Sequence, residues 1–573
     1  MSIIQFKEAN CKNCYKCIRS CPVKAIAFNN EQAQIVQDDC MLCGRCLTVC
    51  PQNAKSVKSD VHKVKSFINK NEKVYASIAP SFISAFSDSD AKKIFGILKR
   101  LGFTNVEETA IGAVQVSLEY DRLMREKKMK NIITTACPSI VFLVQKYYPE
   151  LINQLAPVVS PMIAHAKMMK NIYGSRIRVV FIGPCISKKE ECSDLQNDGV
   201  VDAVITFEEL EWWMETDGVG FDIDDISDIN RIKNSTARFY PAPGGIIKTL
   251  DIEARKNYRC ISIDGVDRCI SILDFIKEGS ISNYFVEMNS CTGGCLGGPC
   301  IRSLDGGFIE SRDRLIGYVK KAPKDGGSEI VEDARVSLSK KFIPRTRKYS
   351  IPDEEKIREI LSAIGKVDKD RELNCGACGY STCRDKAIAV YNGKAELHMC
   401  LPYMRERAES FSNIIINSTP NAIIAMDTSL AIQEVNASAK ELFYLKDTDA
   451  VGKSIYKFLE CPDFQTVCET GENIIDKKYY YERYDKTVEQ SVLFVKEHKI
   501  IIAVIKDITK EENQQQQMYK VRSQTVEIAQ SVIEKQMRVA QEIASLLGET
   551  TAETKMILTK LKKSILSDMG EMK

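Results

Sequence analysis

Apolar positions along this chain follow several distinct rhythms. From about residue 75 to 345, short continuous apolar runs alternate with stretches whose apolar residues recur every three or four positions. KVYASIAP, NIITTAC, IRVVFIGPC and VDAVITF read as buried strands followed by helices. That alternation predicts an α/β domain. A smaller α/β pattern runs over about 411–510 and closes with the strands SVLFV and IIIAVI. Beyond it, Met518, Val521, Ile528, Val532, Val539, Ile543 and Leu546 recur at helical spacing, with Thr525 and Gln536 in the gaps. This is close to a heptad with one stutter and predicts a helix or coiled coil. A helix packed on its own chain is the plainer alternative. Ile557, Leu558, Leu561 and Ile565 mark a second helical face, with Gly548 as break or hinge. KKAPKDGGSE (320–329) reads as a loop and RTRKYSIPDEE (345–355) as a linker.

Length and charge narrow the picture. The 573 residues exceed what one core can organise, so several domains are expected. A net charge of +3 supplies no field for nucleic acid or an anionic membrane, and neither is an expected partner. The opening MSIIQFKEANC has no apolar leader segment, and no run approaches the ~18–20 apolar residues of a membrane span. A cytoplasmic location is expected. Twenty-two cysteines in such a chain point to metal rather than disulfides.

The cysteines are clustered. Cys11, Cys14, Cys17 and Cys21-Pro22 form C-x2-C-x2-C-x3-C-P, and Cys40, Cys43, Cys46 and Cys50-Pro51 repeat it. In this bacterial ferredoxin run, three thiolates hold one [4Fe–4S] cube and the fourth ligates the other. One cube is therefore expected on Cys11, Cys14, Cys17 and Cys50, the second on Cys40, Cys43, Cys46 and Cys21. Zinc is the alternative for thiolate ligands. Two cubes imply electron transfer.

The central α/β region carries TTACPSI around Cys137, FIGPCISKKEE with Cys185 and Lys188, and VEMNSCTGGCLGGPC with Cys291 and Cys295. APS (79–81) and SPM (160–162) follow further apolar runs. Strand-end loops are where α/β proteins build sites. These segments resemble the catalytic domain of [FeFe]-hydrogenases. The resemblance implies that Cys137, Cys185, Cys291 and Cys295 hold the cube of an H-cluster. It further implies that Cys295 bridges to a diiron site with CO, cyanide and a dithiolate bridge. By the same resemblance Lys188 hydrogen-bonds one cyanide, while Ser81 and the backbone near Pro80 and Pro161 hold the other cyanide and the distal pocket.

This chain departs from the usual family pattern at four places. Ala136 stands where the family's proton-donating Cys precedes the first cluster ligand. Gly183 and Asn289 stand where two Met side chains usually flank the diiron site. Of the two Glu in the usual proton path, Glu108 is retained and Ile111 takes the second place. Loss of a relay with retention of ligands implies slow chemistry and resembles the sensory, group C type of the family. Cys300, which ends Gly-Gly-Pro-Cys, is a candidate substitute proton donor, a buried apolar thiol being the plainer reading. Cys192, Cys260 and Cys269 read as core thiols. His62, His165, His398 and His498 show no ligand spacing.

Cys375, Cys378, Cys383 and Cys400 form a third group, NCGACGYSTC plus a later Cys. It resembles the small cluster domain of corrinoid and Rnf-type proteins, which implies a further [4Fe–4S] cube, zinc being the alternative. Residues 411–510 resemble a PAS domain, from NSTPNAIIAMDTSL to the closing DIT. Cys461 and Cys468 read as ordinary thiols rather than a redox pair.

The expected architecture is thus multidomain α/β. A ferredoxin-like domain with two cubes spans 1–60, an H-cluster domain 75–345, a four-Cys domain 353–408, a PAS domain 411–510 and a helical output segment 511–573. The expected function is an H2 sensor of low turnover that interconverts H2 with protons and electrons. It would relay redox state through iron–sulfur clusters to the PAS and helical region. A catabolic, ferredoxin-linked hydrogenase is the alternative, and an iron–sulfur assembly-type relative without the diiron site is third. Expected partners are ferredoxin or a similar carrier, maturation enzymes, a separate kinase, phosphatase or regulator, and a second copy through the PAS and coiled coil.

Overall fold

The computed structural model describes residues 3–91, 93–221, 235–301, 307–321, 336–346, 350–445, 450–547 and 552–567. Most of the expected loop 320–329, part of the linker and Gly548 lie outside them. Two compact units divide the chain, Met1–Met404 and Arg405–Lys573.

The amino-terminal repeats fold as two copies of one backbone. Strands β1 (Ile4–Phe6) and β4 (Lys55–Val57) pair, as do β2 (Ile26–Asn29) and β3 (Gln32–Ile35). Asn13, Tyr15 and Lys24 have positive φ in the first copy, and Leu42, Gly44 and Asn53 in the second, at matching positions. Such left-handed residues turn the chain tightly enough to aim successive thiols inward. The match extends to single hydrogen bonds. The Ala25 N–H donates to Cys21 Sγ at 3.3 Å and the Ala54 N–H to Cys50 Sγ at 3.4 Å. Tyr15 and Gly44 differ for a packing reason. A Cβ on Gly44 would lie 2.5 Å from Pro299, whereas Tyr15 packs edge-on against Phe28.

Two parallel sheets organise the central domain. One has the order β6 (Asn105–Glu108), β5 (Val74–Ile78), β8 (Arg178–Gly183), β9 (Ala203–Thr206). The other has the order β10 (Arg259–Asp264), β11 (Tyr284–Asn289), β7 (Ile132–Ile133). All pairings in both are parallel. Every residue of β5 is buried, as expected of a strand covered by helices on both faces. Parallel strands end on the same side. Within each sheet this aligns the loops, β5 with β8 and β7 with β11, and the two sets meet: Pro80–Ser81, Ala136–Cys137, Pro184–Cys185 and Ser290–Cys295 lie in one region.

The second unit holds an antiparallel sheet ordered β13 (Ile432–Val435), β12 (Ala422–Asp427), β16 (Ile500–Asp507), β15 (Lys486–Val495), β14 (Ile474–Tyr481). Val488, Val492, Ile501, Ala503 and Ile505 alternate inward and form its core with Phe443 and Phe464. A 39-residue helix, Thr509–Leu547, follows. A second, Ala552–Ser567, lies against it, with Ile533 and Met537 of the first facing Leu558 of the second. The residues expected to form a heptad seam lie on another face: Met518, Val521, Ile528, Val532, Val539 and Ile543 are exposed.

Candidate active site

A cavity of about 90 Å³ opens where the strand ends meet. Its walls include Pro80, Ser81, Ala136, Cys137, Pro161, Cys185, Lys188, Asn289 and Cys295. Ala79 and Cys295, 216 positions apart, are thus brought together. Local sequence explains much of the positioning. Pro138 and Pro161 each occupy the first turn of a helix, so each loop ends where the cavity begins.

Cys137, Cys185, Cys291 and Cys295 face one another. Burial pushes up the thiols of Cys185, Cys291 and Cys295, and the neighbouring thiols of the set push in the same direction. Ser290 stands between two of them, 3.8 Å from Cys137 Sγ and 3.9 Å from Cys291 Sγ. Among the described residues, no three such side chains converge on a single ion. Four half-buried thiols in mutual range but spread apart suit a cluster with one ligand per corner, which would also hold them deprotonated.

The rest of the cavity is largely apolar, with a few donors. Ser81 Oγ and Asn289 Nδ2 are buried and have no hydrogen-bond partner within the protein. Orphaned buried donors of this kind call for an acceptor from outside the chain. Lys188 Nζ donates to the Ala136 carbonyl at 3.3 Å and to Glu191 Oε2 at 2.7 Å. This set fits a small group bearing hydrogen-bond acceptors, bound beside the thiols.

Several expected residues play other parts here. Glu108 is locked. Arg238 Nε donates to its Oε2 at 3.0 Å, Arg238 Nη2 to its Oε1 at 2.6 Å, and Tyr318 Oη to the same Oε1 at 2.5 Å. Burial pushes the Glu108 carboxyl up and the Arg238 guanidinium opposes it. Both oxygens of the retained Glu are thus engaged by Arg238 and Tyr318. Cys300 does not line the cavity. It is buried with Ile4 and Ile186, where burial raises its thiol well above the usual range. Gly183 is also outside the lining, and Phe181 takes its space: a Cβ on Gly183 would lie 2.7 Å from the Phe181 ring. Ala136 lines the cavity with a methyl group that can carry no proton. Phe181, Thr109 and Arg238 were missed by sequence reasoning because no local motif marks them.

The other thiol groups bracket the ferredoxin repeats. On one side, the second cysteine loop meets the central domain. Ser139 Oγ donates to the Leu42 carbonyl at 3.2 Å and Lys146 Nζ to that of Cys40 at 2.7 Å. Burial raises Cys40 to about 11 and Cys43 to about 12. On the other side, the first repeat meets the Cys375–Cys400 segment. Arg19 bridges them, donating to the carbonyls of Ala377 at 2.9 Å and Cys14 at 3.0 Å. Cys17, Ile18, Cys378, Tyr380 and Met399 share one apolar core. Lys394 pairs with Asp39 at 2.6 Å.

The family model described as the iron only hydrogenase large subunit, C-terminal domain, matches residues 72–299. A 4Fe-4S dicluster model matches 3–51, an Fe-S cluster model 372–402 and the PAS fold 413–490. The chain carries an [FeFe]-hydrogenase-like domain, iron–sulfur domains and a PAS domain. This hydrogenase-like chain is 26% identical over 306 residues to iron hydrogenase 1 of Clostridium pasteurianum, covering 43% of this chain and 53% of that one. It thus spans about half the length of that relative. It is 28% identical over 185 residues to the cytosolic Fe-S cluster assembly factor NAR1 of Yarrowia lipolytica, covering 29% of this chain and 38% of the other. An apo [FeFe]-hydrogenase structure from Chlamydomonas reinhardtii matches with 17% identity and TM-score 0.41, over 51% of this chain and 100% of that one. A PAS domain from Haloarcula marismortui matches with 19% identity and TM-score 0.16, over 19% of this chain and 97% of that one. No helix among the described residues is long and apolar enough to cross a membrane.

Proposed function

We propose that this chain is a low-turnover, H2-sensing [FeFe]-hydrogenase. The carrying observation is the cavity itself, where Cys137, Cys185, Cys295 and Lys188 meet the orphaned donors of Ser81 and Asn289 around the proton-inert Ala136, with Cys291 beside them. Cys137, Cys185, Cys291 and Cys295 would hold the cube, and Ser81, Lys188 and Asn289 would hold the ligands of a diiron group. When bound, that group supplies the reaction 2H⁺ + 2e⁻ ⇌ H2. The protein's own part is to orient the group, exclude water with Phe181, Pro161 and Met162, and restrict proton supply.

The packing supports an order for electron flow. The Cys40–Cys46 loop packs on the central domain, and the Cys11–Cys17 loop packs on the Cys375–Cys400 segment. Electrons would pass from the cavity through two ferredoxin cubes to a cube on Cys375, Cys378, Cys383 and Cys400. Leu401–Ser418, the helix that leads toward the PAS domain, starts beside the last of these ligands. The redox state of that cube would set the output of the PAS and helical region, read by a separate signalling partner.

Likeness to the assembly factor NAR1 makes an assembly role the second reading. Infrared spectra of the matured protein under H2, with a turnover measurement, separate the readings. Cyanide and CO bands with slow turnover are expected. Absent bands would leave the assembly role standing, and rapid turnover would point to a catabolic enzyme.

A further inference from the structure

Ala136 removes one proton donor, and Glu108 is held by Arg238. A different buried polar chain starts at the cavity wall. Thr109 lines the cavity and precedes the helix Ala110–Glu126. A Thr in that position ordinarily caps its helix, but this hydroxyl makes no capping bond. Its Oγ1 lies 2.8 Å from Ser77 Oγ instead. Ser77 Oγ lies 2.8 Å from His165 Nδ1, and His165 Nε2 lies 3.2 Å from Glu107 Oε2. The other oxygen of Glu107 accepts from Tyr173 Oη at 2.6 Å and from Asn105 Nδ2 at 2.9 Å. Thr109, Ser77 and His165 are at most 5% exposed, and Tyr173 at the far end is partly open to solvent.

We propose that Thr109, Ser77, His165 and Glu107 form a proton relay between the cavity and the surface. The proposal rests on the hydrogenase reading and deepens it. Each member both gives and takes a proton: hydroxyls donate and accept, and neutral imidazole has one nitrogen for each role. Going outward, Thr109 takes a proton from the cavity as its own passes to Ser77. The Ser77 proton passes to His165 Nδ1, and the Nε2 proton passes to Glu107, which releases it to water. One proton enters and one leaves. Rotation of the hydroxyls and return of the imidazole to its first tautomer complete the cycle, and the reverse sequence runs inward. His165 faces Ser77 from β5 and Glu107 from β6, with the Glu108–Arg238 pair beyond. The close approach is built in: a Cβ on Gly112 would lie 2.7 Å from His165 Cβ, so the helix Ala110–Glu126 sits directly on the helix of His165. The relay ends on the threonine hydroxyl, a poor acid, which matches slow supply.

The test uses the full chain with Thr109→Val and Ser77→Ala, both nearly isosteric. The first readout is nitrogen NMR of histidine-labelled protein, readable because the chain has only four His. Ser77→Ala should shift His165 Nδ1 strongly, and Thr109→Val should shift it in the same direction by less. An Nδ1 signal indifferent to Thr109→Val would overturn the relay, with or without the diiron group. The second readout is turnover per loaded site, expected to fall at least ~10-fold in each variant while cyanide and CO bands stay in place. Unchanged turnover with unchanged bands would also overturn it. Missing bands in the unaltered protein would instead defeat the hydrogenase reading, and the NMR arm would still decide whether the hydroxyls are coupled to His165.

Discussion

Lys188 Nζ lies 2.7 Å from Glu191 Oε2, one helical turn away, with the two side chains 9% and 7% exposed. The same carboxylate oxygen accepts from Ser160 Oγ at 3.0 Å. Glu191 thereby holds the Lys188 ammonium at the cavity wall, where a free side chain of that length would swing. Removing one member of a buried pair leaves an uncompensated charge, at a cost of about 3–5 kcal/mol. Glu191→Gln should therefore lower the melting temperature measurably. Lys188→Met should keep the iron–sulfur absorbance but lose the infrared bands of the diiron group. Full retention of those bands in Lys188→Met would remove the lysine from the group's binding set.

Restoring a thiol beside the first cluster ligand should restore proton supply. Ala136→Cys is expected to raise H2 turnover about 10²-fold, the lower end of what a positioned proton donor contributes. The measurement is turnover per infrared-quantified site. An unchanged rate would show that protons do not limit this protein.

The cluster segment at Cys375–Cys400 can be tested as the exit of the electron path. Cys375→Ser with Cys378→Ser should remove about four irons per chain. The response of the PAS and helical output to H2 should then fail while H2 still reduces the ferredoxin cubes. Arg19→Ala, which breaks the bridge to Ala377, should slow that transfer without loss of iron.

Glu287 gives the stability a definite pH dependence. Burial raises its carboxyl from 4.5 to about 7, against opposing hydrogen bonds from the Ile247 and Gly244 N–H groups. The folded state thus binds the proton more tightly than the unfolded state. Its contribution is full below the unfolded value and is lost as pH rises through about 7. Thermal stability should fall across that window, and Glu287→Gln should flatten the fall. A stability profile in Glu287→Gln identical to the parent would contradict this assignment.

The exposed stripe on the helix Thr509–Leu547 predicts self-association. Ile528→Asp with Val532→Asp should shift sedimentation from dimer to monomer. An unchanged mass would place the dimer contact elsewhere.

Legibility followed sequence distance. The ferredoxin loops were readable because ligands three residues apart are positioned by one turn of backbone, and the repeat shows it twice. The cavity ligands were readable through family resemblance, since Cys137, Cys185 and Cys291 stand on three separate strand ends. Phe181 was not readable. Its ring fills the space beside Gly183 because residues two apart on β8 share one face, here against Ala79.

What the sequence by itself determined was the chemistry available: twelve thiols in cluster spacings, an alanine rather than a thiol beside Cys137, a PAS-like pattern and a helical tail. Those are properties of short windows, and backbone geometry carries them. The tertiary structure alone decided which groups meet. It closed Glu108 with Arg238, put Cys300 in an apolar pocket, and docked the late cysteine segment on the first repeat. It also lined up Thr109, Ser77, His165 and Glu107. These contacts join residues from separate strands and helices, and a parallel sheet fixes them only once all its strands are in register.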